Sequence, residues 1–343
     1  MTAEAQAPAA AQPVRAERSR PSSGWRVVAA KELSDHLGSA RFYILLVVLG
    51  AAAIVPLYFA SDALRAAASS FDDTRFAFLV LFLYAPQDVP IPPVFGFVGI
   101  VAPLLGVAFA FDAINAERAD GTLPRLLSQP IYRDDVVNGK FAAGLAVITI
   151  VLVAVVGVIS GFGIVRLGLV PGIEEVLRVL TWVALSVVWV GLWLAFGLLL
   201  SVTIRRAATA ALVGFGVWLL VAIFGQLIVG LIAGIVAPIA SATSVEEQLA
   251  LATLSESILR LLPLTLYQEA SRVMLNPTET TVSTPATIGQ LQQWQAQQQA
   301  GGQLLSFDQS LLLVWPHVVA LFAMTAICFA AAYVWFMRQE VRA

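Results

Sequence analysis

Phe141-Ala-Ala-Gly-Leu-Ala-Val-Ile-Thr-Ile-Val-Leu-Val-Ala-Val-Val-Gly-Val-Ile-Ser-Gly-Phe-Gly-Ile-Val165 is a run of 25 residues without one charged side chain. A bilayer core about 30 Å thick needs about 20 apolar residues as helix, and this run exceeds that length. Inside lipid every amide must find its partner within its own segment, so a helix is the form the run takes. Five further runs meet the same test: Phe42 to Ala60, Val94 to Phe111, about Val176 to Ile204, Ala207 to Ala240 and Leu311 to Met337. The fold class expected is therefore an all-α polytopic membrane protein with six transmembrane helices. The fifth run, 34 residues, would be about 51 Å long as a straight helix. It is expected to tilt, to break near Gly225 to Gly234, or to end in a re-entrant turn before Pro238.

Composition agrees. Hydrophobic residues make up 59% of the chain and charged residues 12%, against about 45–50% and about 25% in soluble domains. Mean hydropathy is +0.84. The net charge of −2, with basic residues scattered, points away from nucleic acid as a partner. The single cysteine, Cys328, excludes a disulfide framework and a cysteine metal site. Two histidines distant in sequence, His36 and His317, offer little for metal or acid–base chemistry. A nucleotide-binding loop would need Gly-x-x-x-x-Gly-Lys-[Ser/Thr]. Gly139-Lys140 is followed by Phe141 and has Asp134 where the upstream glycine belongs. Ala300-Gly301-Gly302-Gln303 echoes another ATPase motif but lies in a Gln-rich stretch. The reading is of a chain that is not an enzyme and binds no cofactor or metal of its own.

Lys and Arg set the expected orientation. With the N-terminus inside, fourteen of the twenty fall on the cytosolic side, so both termini are placed in the cytosol. Residues 1–23 lack the apolar core of a signal peptide and read as a disordered cytosolic tail. Residues 24–41 form an amphipathic interfacial helix: Trp25, Val28, Ala29, Leu33 and Leu37 share a stripe, with Arg26, Lys31, Glu32 and Asp35 largely off it. Residues 42–343 hold the six helices. Phe76 to Ala85, too short to span, is expected on the outer surface. A long extracellular segment, 241–310, precedes the last helix; within it Val245 to Leu275 reads as helix interrupted at Pro263, and Gln290 to Gln303 as a mobile low-complexity loop.

The loop between the second and third runs carries the most information. It reads Asp112-Ala-Ile-Asn-Ala-Glu117-Arg118-Ala-Asp-Gly121-Thr122-Leu123-Pro-Arg-Leu126-Leu127-Ser-Gln-Pro130-Ile-Tyr-Arg133, and continues to Gly139-Lys140. Gly121 can end one helix, Thr122 can cap the next, and Pro124 suits its first turn. Leu123, Leu126 and Leu127 give that helix an apolar face, and Pro130 stops it. The bland interpretation is a polar inter-helix loop with good caps. The pattern Glu117, Gly121-Thr122-Leu123, Leu126-Leu127, Pro130, Arg133 and Gly139-Lys140 closely resembles the ABC-2 type permease family. Lys31-Glu32-Leu33 ahead of the first run is similar to that family's N-terminal interfacial helix. The resemblance extends from about Trp25 to the C-terminus, and in particular to the subgroup that includes permeases of copper-enzyme maturation.

What the resemblance implies is a membrane permease of an ATP-driven ABC exporter in the inner membrane. It would work as a homodimer or with a related chain, and two separate ATPase subunits would carry the ATP and Mg. The 112–140 hairpin would be the coupling element, with Glu117, Arg118, Gly121, Thr122, Leu123, Leu126, Leu127, Arg133 and Lys140 at the contact. Arg205 and Arg206 could add a second contact or act only as positive-inside anchors. Gln226 and His317 are the polar residues at depth, candidates for a substrate path or for bonds to neighbouring helices. Trp182, Trp189 and Trp193 fall on one face of the fourth run and read as packing. The reading from another class is a membrane scaffold or sensor whose extracellular segment binds a partner without ATP coupling.

Overall fold

The computed structural model describes residues 24–59, 61–62, 64–65, 74–85, 92–122, 131–279 and 304–339. The expected tail 1–23, the residues Leu123, Leu126 and Leu127, and the Gln-rich stretch 290–303 lie outside them. Among the described residues six helical runs are long and apolar enough to cross a bilayer: Ala40–Phe59, Val94–Ala119, Arg133–Leu167, Ile173–Thr203, Ala207–Ser241 and Phe307–Arg338. They are called the first to sixth spans below, and the interfacial helix is Gly24–Leu37.

The fourth span is the axis of the bundle. It packs against the second, third and sixth spans and against the helix Pro263–Leu275. The second and fourth spans are each 72% buried within the chain, whereas the fifth and sixth are 11% buried. An apolar helix that the chain itself leaves open must find another apolar medium, so the outer spans face lipid or another subunit. The central contact is backbone-close. A Cβ on Gly106 would sit 2.6 Å from the Val190 carbonyl and 2.7 Å from the Leu194 nitrogen. Gly144 likewise admits the Leu194 side chain. Small residues at such crossings allow the dispersion contacts that hold helices together when water cannot drive them.

The three tryptophans of the fourth span face the core, as their spacing implies. Trp182 and Trp189 are each 1% exposed. The Trp182 indole N–H donates to Ser271 Oγ at 3.2 Å, and that of Trp189 to the Gly99 carbonyl at 3.0 Å. Trp189 also stacks on Tyr267 with centroids 5.4 Å apart.

Several boundaries shift for identifiable reasons. The third helix begins at Arg133, eight residues before the apolar run, because Asp134 and Asp135 suit the positive end of a helix and Asp135 accepts the Tyr132 N–H at 3.2 Å. Residues Arg133 to Lys140, the end of the expected hairpin segment, are thus the first two turns of the third span, while the short helix expected before Pro130 falls on residues outside those described. The fifth run departs from regular helix in a π-turn over Leu220–Phe224, immediately before the expected break at Gly225. The helix pair Val245–Leu259 and Pro263–Leu275 bends by 108°, with Pro263 in the first turn of the second member. That second helix is mostly buried, and it closes the end of the bundle opposite the 112–122 loop. Phe76 to Ala85 is not laid on a surface. Thr74–Leu79 and Val80–Leu83 insert Phe78, Leu79, Leu81 and Phe82 into the core, Phe82 lying 5.4 Å from Trp182. The run is apolar because most of it, Phe76 and Phe78 to Phe82, is buried.

That end is fastened by Arg178, which is fully buried. Its guanidinium donates to Glu174 Oε1, to the Met274 and Leu305 carbonyls and to Ser310 Oγ, at 2.6–3.1 Å. Replacing Arg178 by Met strands two buried acceptors, the Met274 carbonyl and Ser310 Oγ, and frees two part-buried ones at Glu174 and Leu305. We expect a loss of about 3 kcal/mol, read as a lowered thermal midpoint in detergent, whereas Arg166→Met at an exposed turn changes little.

Candidate functional site

Of the residues singled out in the loop, the described ones, Glu117, Arg118, Gly121, Thr122, Arg133 and Lys140, converge on one end of the bundle, termed the loop face. The second span closes in a short turn, Asn115–Ala119, that stops at Gly121 with φ +66°. The Thr122 N–H donates to the Glu117 carbonyl at 2.9 Å and the Gly121 N–H to that of Arg118 at 3.2 Å. This is the glycine-terminated helix end expected from the sequence, at a conformation that side chains with a Cβ disfavour. Ala119, Asp120, Gly121 and Thr122 are exposed.

Glu117 and Lys140 turn inward from that exposed tip. The Lys140 side chain is 4% exposed, and its ammonium lies 2.8 Å from Glu117 Oε1 and 2.9 Å from Glu32 Oε1. One buried cation therefore joins the second span, the third span and the interfacial helix. The joint is tight: a Cβ on Gly139 would lie 2.6 Å from Val28 Cβ and 2.8 Å from the Trp25 carbonyl. Beside it Arg41 pairs with Asp112 at 2.6 Å, tying the first span to the same place. Glu32 was read as off the apolar stripe. At 100° per residue it falls between Trp25 and Val28, so the signal was in the helix period, and Lys140 supplies the charge that lets a carboxylate sit there.

Burial alone would raise the Glu32 carboxyl, but the charge and hydrogen bond of Lys140, with those of Lys31, outweigh it and hold the value below 4.5. Burial also lowers the His36 imidazole below 6.5, against the pull of Glu32. Both groups have folded values below their unfolded ones, so the stability they give is complete above 4.5 for Glu32 and above 6.5 for His36, and is lost as pH falls through the folded values.

Arg118 and Arg133 also bond within the chain. Arg118 donates to the Val202 carbonyl at 3.2 Å and to the Gln339 side chain. Arg133 donates to the Gln339 carbonyl at 2.9 Å and lies over the Phe336 ring. Gln339 itself donates to the Val202 carbonyl at 2.8 Å. Ser201 Oγ accepts the backbone N–H groups of Ile114 and Asn115 at 2.9 and 3.2 Å. Arg205 and Arg206 stand exposed in the turn between the fourth and fifth spans. Sequence reading did not single out Gln339 or Ser201, since one polar residue at a span end carries no local pattern.

Gln226 and His317 lie at the other end and meet the same helix. Gln226 Nε2 donates to Thr265 Oγ1 at 3.2 Å. His317 Nε2 is 3.0 Å from Glu269 Oε2, which also accepts from Arg260 at 2.9 Å. Thr265 and Glu269 are one turn apart on one face of Pro263–Leu275.

Lys140→Met should leave Glu117 without its counter-charge and Glu32 with only the exposed Lys31 at 3.0 Å, and cost about 3–5 kcal/mol. In a series of melting temperatures from pH 7 to 4, the parent protein should lose stability as pH falls. The variant should lose less or gain, because protonating Glu32 then relieves a buried carboxylate left with only the exposed Lys31 beside it.

The comparisons with known proteins bear on the same region and beyond it. The model of the ABC-2 family transporter protein matches residues 26–341. The chain is also similar to a probable ABC transporter permease protein, NosY, of Stutzerimonas stutzeri, at 34% identity over 126 residues. That match takes in 34% of this chain and 43% of the relative, so the chain spans less than half of that relative's length. With six apolar spans around a polar-capped loop and a family match over almost the whole sequence, the chain is a multi-pass membrane protein that belongs to the ABC-2 family of transporter proteins.

Proposed function

We propose that this protein is the membrane permease subunit of an ATP-driven ABC exporter, moved by a separate ATPase subunit that docks on its loop face. The carrying observation is the buried Lys140, bonded to both Glu32 and Glu117 beneath an exposed Ala119–Thr122 tip. A tip resting on a flexible connection would absorb a push. This one stands on an ion pair network shared by the interfacial helix and two spans, so a displacement at the tip moves all three together. Side-chain packing and fixed polar bonds transmit motion in discrete rearrangements rather than by continuous bending.

In this reading the N-terminus and the loop face are cytosolic, in the inner membrane. Two permease copies, or one with a related chain, meet two ATPase subunits that hold the ATP and Mg, and this chain contributes no cofactor. The permease name borne by the NosY relative supports the assignment. Arg205 and Arg206, exposed on the same face, are placed to add a second contact. Glu117, Lys140, Arg118 and Arg133 act by positioning the tip, while Asp120, Gly121 and Thr122 meet the partner, together with Leu123, Leu126 and Leu127. Gln226 and His317 brace the Pro263–Leu275 helix beside the path that cargo takes.

Affinity purification of the tagged chain from native membranes should recover a stoichiometric ATP-binding subunit. Asp120→Arg, on the exposed tip, should lower coupled ATPase turnover at least about tenfold, equivalent to about 1.4 kcal/mol, with unchanged membrane insertion and melting. Glu117→Arg should lower both turnover and melting, because it reverses a charge beside Lys140. Recovery of the chain with outer-face partners only, and turnover indifferent to both substitutions, would favour a scaffold.

A further inference from the structure

We infer that the fourth and sixth spans form a two-helix strut that makes the Pro263–Leu275 helix answer to the loop face, with Gln339 as the positioning residue at its base. The functional meaning rests on the loop being where the ATPase subunit acts; the mechanical link does not.

The two spans pack side by side more extensively than any other pair of described elements. At the loop face both are gripped by the same few groups. Ser201 receives the Ile114 and Asn115 amides, and Arg118 donates both to Val202 and to Gln339, which in turn donates to Val202. Arg133 holds the Gln339 carbonyl. One side chain at the end of the sixth span thus locks that span, the fourth span and the loop into a single polar knot.

At the opposite end the same pair grips one helix. From the fourth span, Trp182 donates to Ser271, Ser186 bonds Tyr267 at 2.9 Å, and Arg178 donates to the Met274 carbonyl. From the sixth span, His317 bonds Glu269. Arg178 also joins the two spans to each other through Ser310. The gripped helix is the chain's unusual element: a polar sequence, Pro-Leu-Thr-Leu-Tyr-Gln-Glu-Ala-Ser-Arg-Val-Met-Leu, of which ten of thirteen residues are buried. Its polar groups are satisfied by side chains of the spans, so its orientation is dictated by where those spans stand.

Between the two ends the sixth span is held by apolar packing alone: Met324, Cys328 and Phe329 are half-buried against the core, with the Phe329 ring 4.6 Å from that of Phe141. No residue between Leu321 and Ala332 is buried, while Ser310, Val314, His317 and Leu321 are buried at one end and Ala332 and Phe336 at the other. From His317 to Gln339 the helix covers about 33 Å at 1.5 Å per residue. A helix whose polar bonds to other elements sit at its two ends, with only apolar packing between them, carries axial and rotational displacement from one end to the other. Pairwise bonds scattered along its length would dissipate it.

The test uses the purified full-length chain in lipid nanodiscs, with hydrogen exchange read by mass spectrometry and no partner or nucleotide present. Gln339→Ala should speed exchange of the 263–275 amides about threefold or more, as expected for loosening one hydrogen-bonded anchor. Exchange in the interfacial helix should stay unchanged. Linkage is reciprocal, so Ser271→Ala, at the far end, should speed exchange at 112–122. Thr149→Val, in the third span and outside the strut, should alter neither. Changes confined in each variant to the substituted end would overturn the inference. Should Gln339→Ala fail to fold, the Ser271→Ala arm decides by the same criterion. Reciprocal changes in a protein that recruits no ATPase subunit would leave the strut standing and remove the proposed function. Normal recruitment with no reciprocal changes would do the reverse.

Discussion

An ammonium group placed beneath a helical bundle must be given negative charge within a few ångströms, because its isolated burial costs several kcal/mol even after relaxation. Lys140 has two carboxylates, Glu32 at 2.9 Å and Glu117 at 2.8 Å, and they arrive from different helices. That requirement fixes the interfacial helix against the third span, where Gly139 makes room for Val28. It also fixes the last turn of the second span above them. The position of the exposed Gly121 tip follows from these constraints rather than from any preference of the loop itself.

The two ends of the bundle are organised alike. Each has one buried cation that draws several elements together: Lys140 at the loop face and Arg178 at the other. The chemistry differs with the cation. A point-like ammonium pairs with two carboxylates, whereas the planar guanidinium spreads its donors over Glu174, Ser310 and two carbonyls. Between these ends the contacts are largely apolar and glycine-mediated, as at Gly106 and Gly144. Such an interior can slide in small steps while its polar ends keep their partners.

The low burial of the fifth and sixth spans has a second consequence. In water, surfaces such as Ile223, Leu227, Leu231 and Ile235 would drive aggregation. In lipid they cost nothing, and they remain available to a second copy. The sixth span combines this outward apolar face with an inward face anchored at Ser310, His317 and Phe336. The fifth is joined to the Pro263–Leu275 helix through Gln226.

Much was legible in the sequence because membrane burial is a local property. Six apolar runs meet the length that lipid demands whatever their neighbours do, and Pro263 and Gly121 act on their own backbone, so the helix interruption and the helix end were readable residue by residue. The fourth-span tryptophans were legible for the same reason, their spacing placing them on one face. The partners of the polar residues were a different matter. Glu117 and Lys140, expected at the coupling contact, also point at one another, Glu32 is expected outside the stripe and is buried, and Phe76 to Leu83, expected on the outer surface, packs into the core. Gln339 and Arg178 had no local pattern at all. Each depends on a group more than eighty residues away or on another helix, and the free energy of a buried charge is set by what stands within 3 Å of it. That distance is decided only when the helices pack.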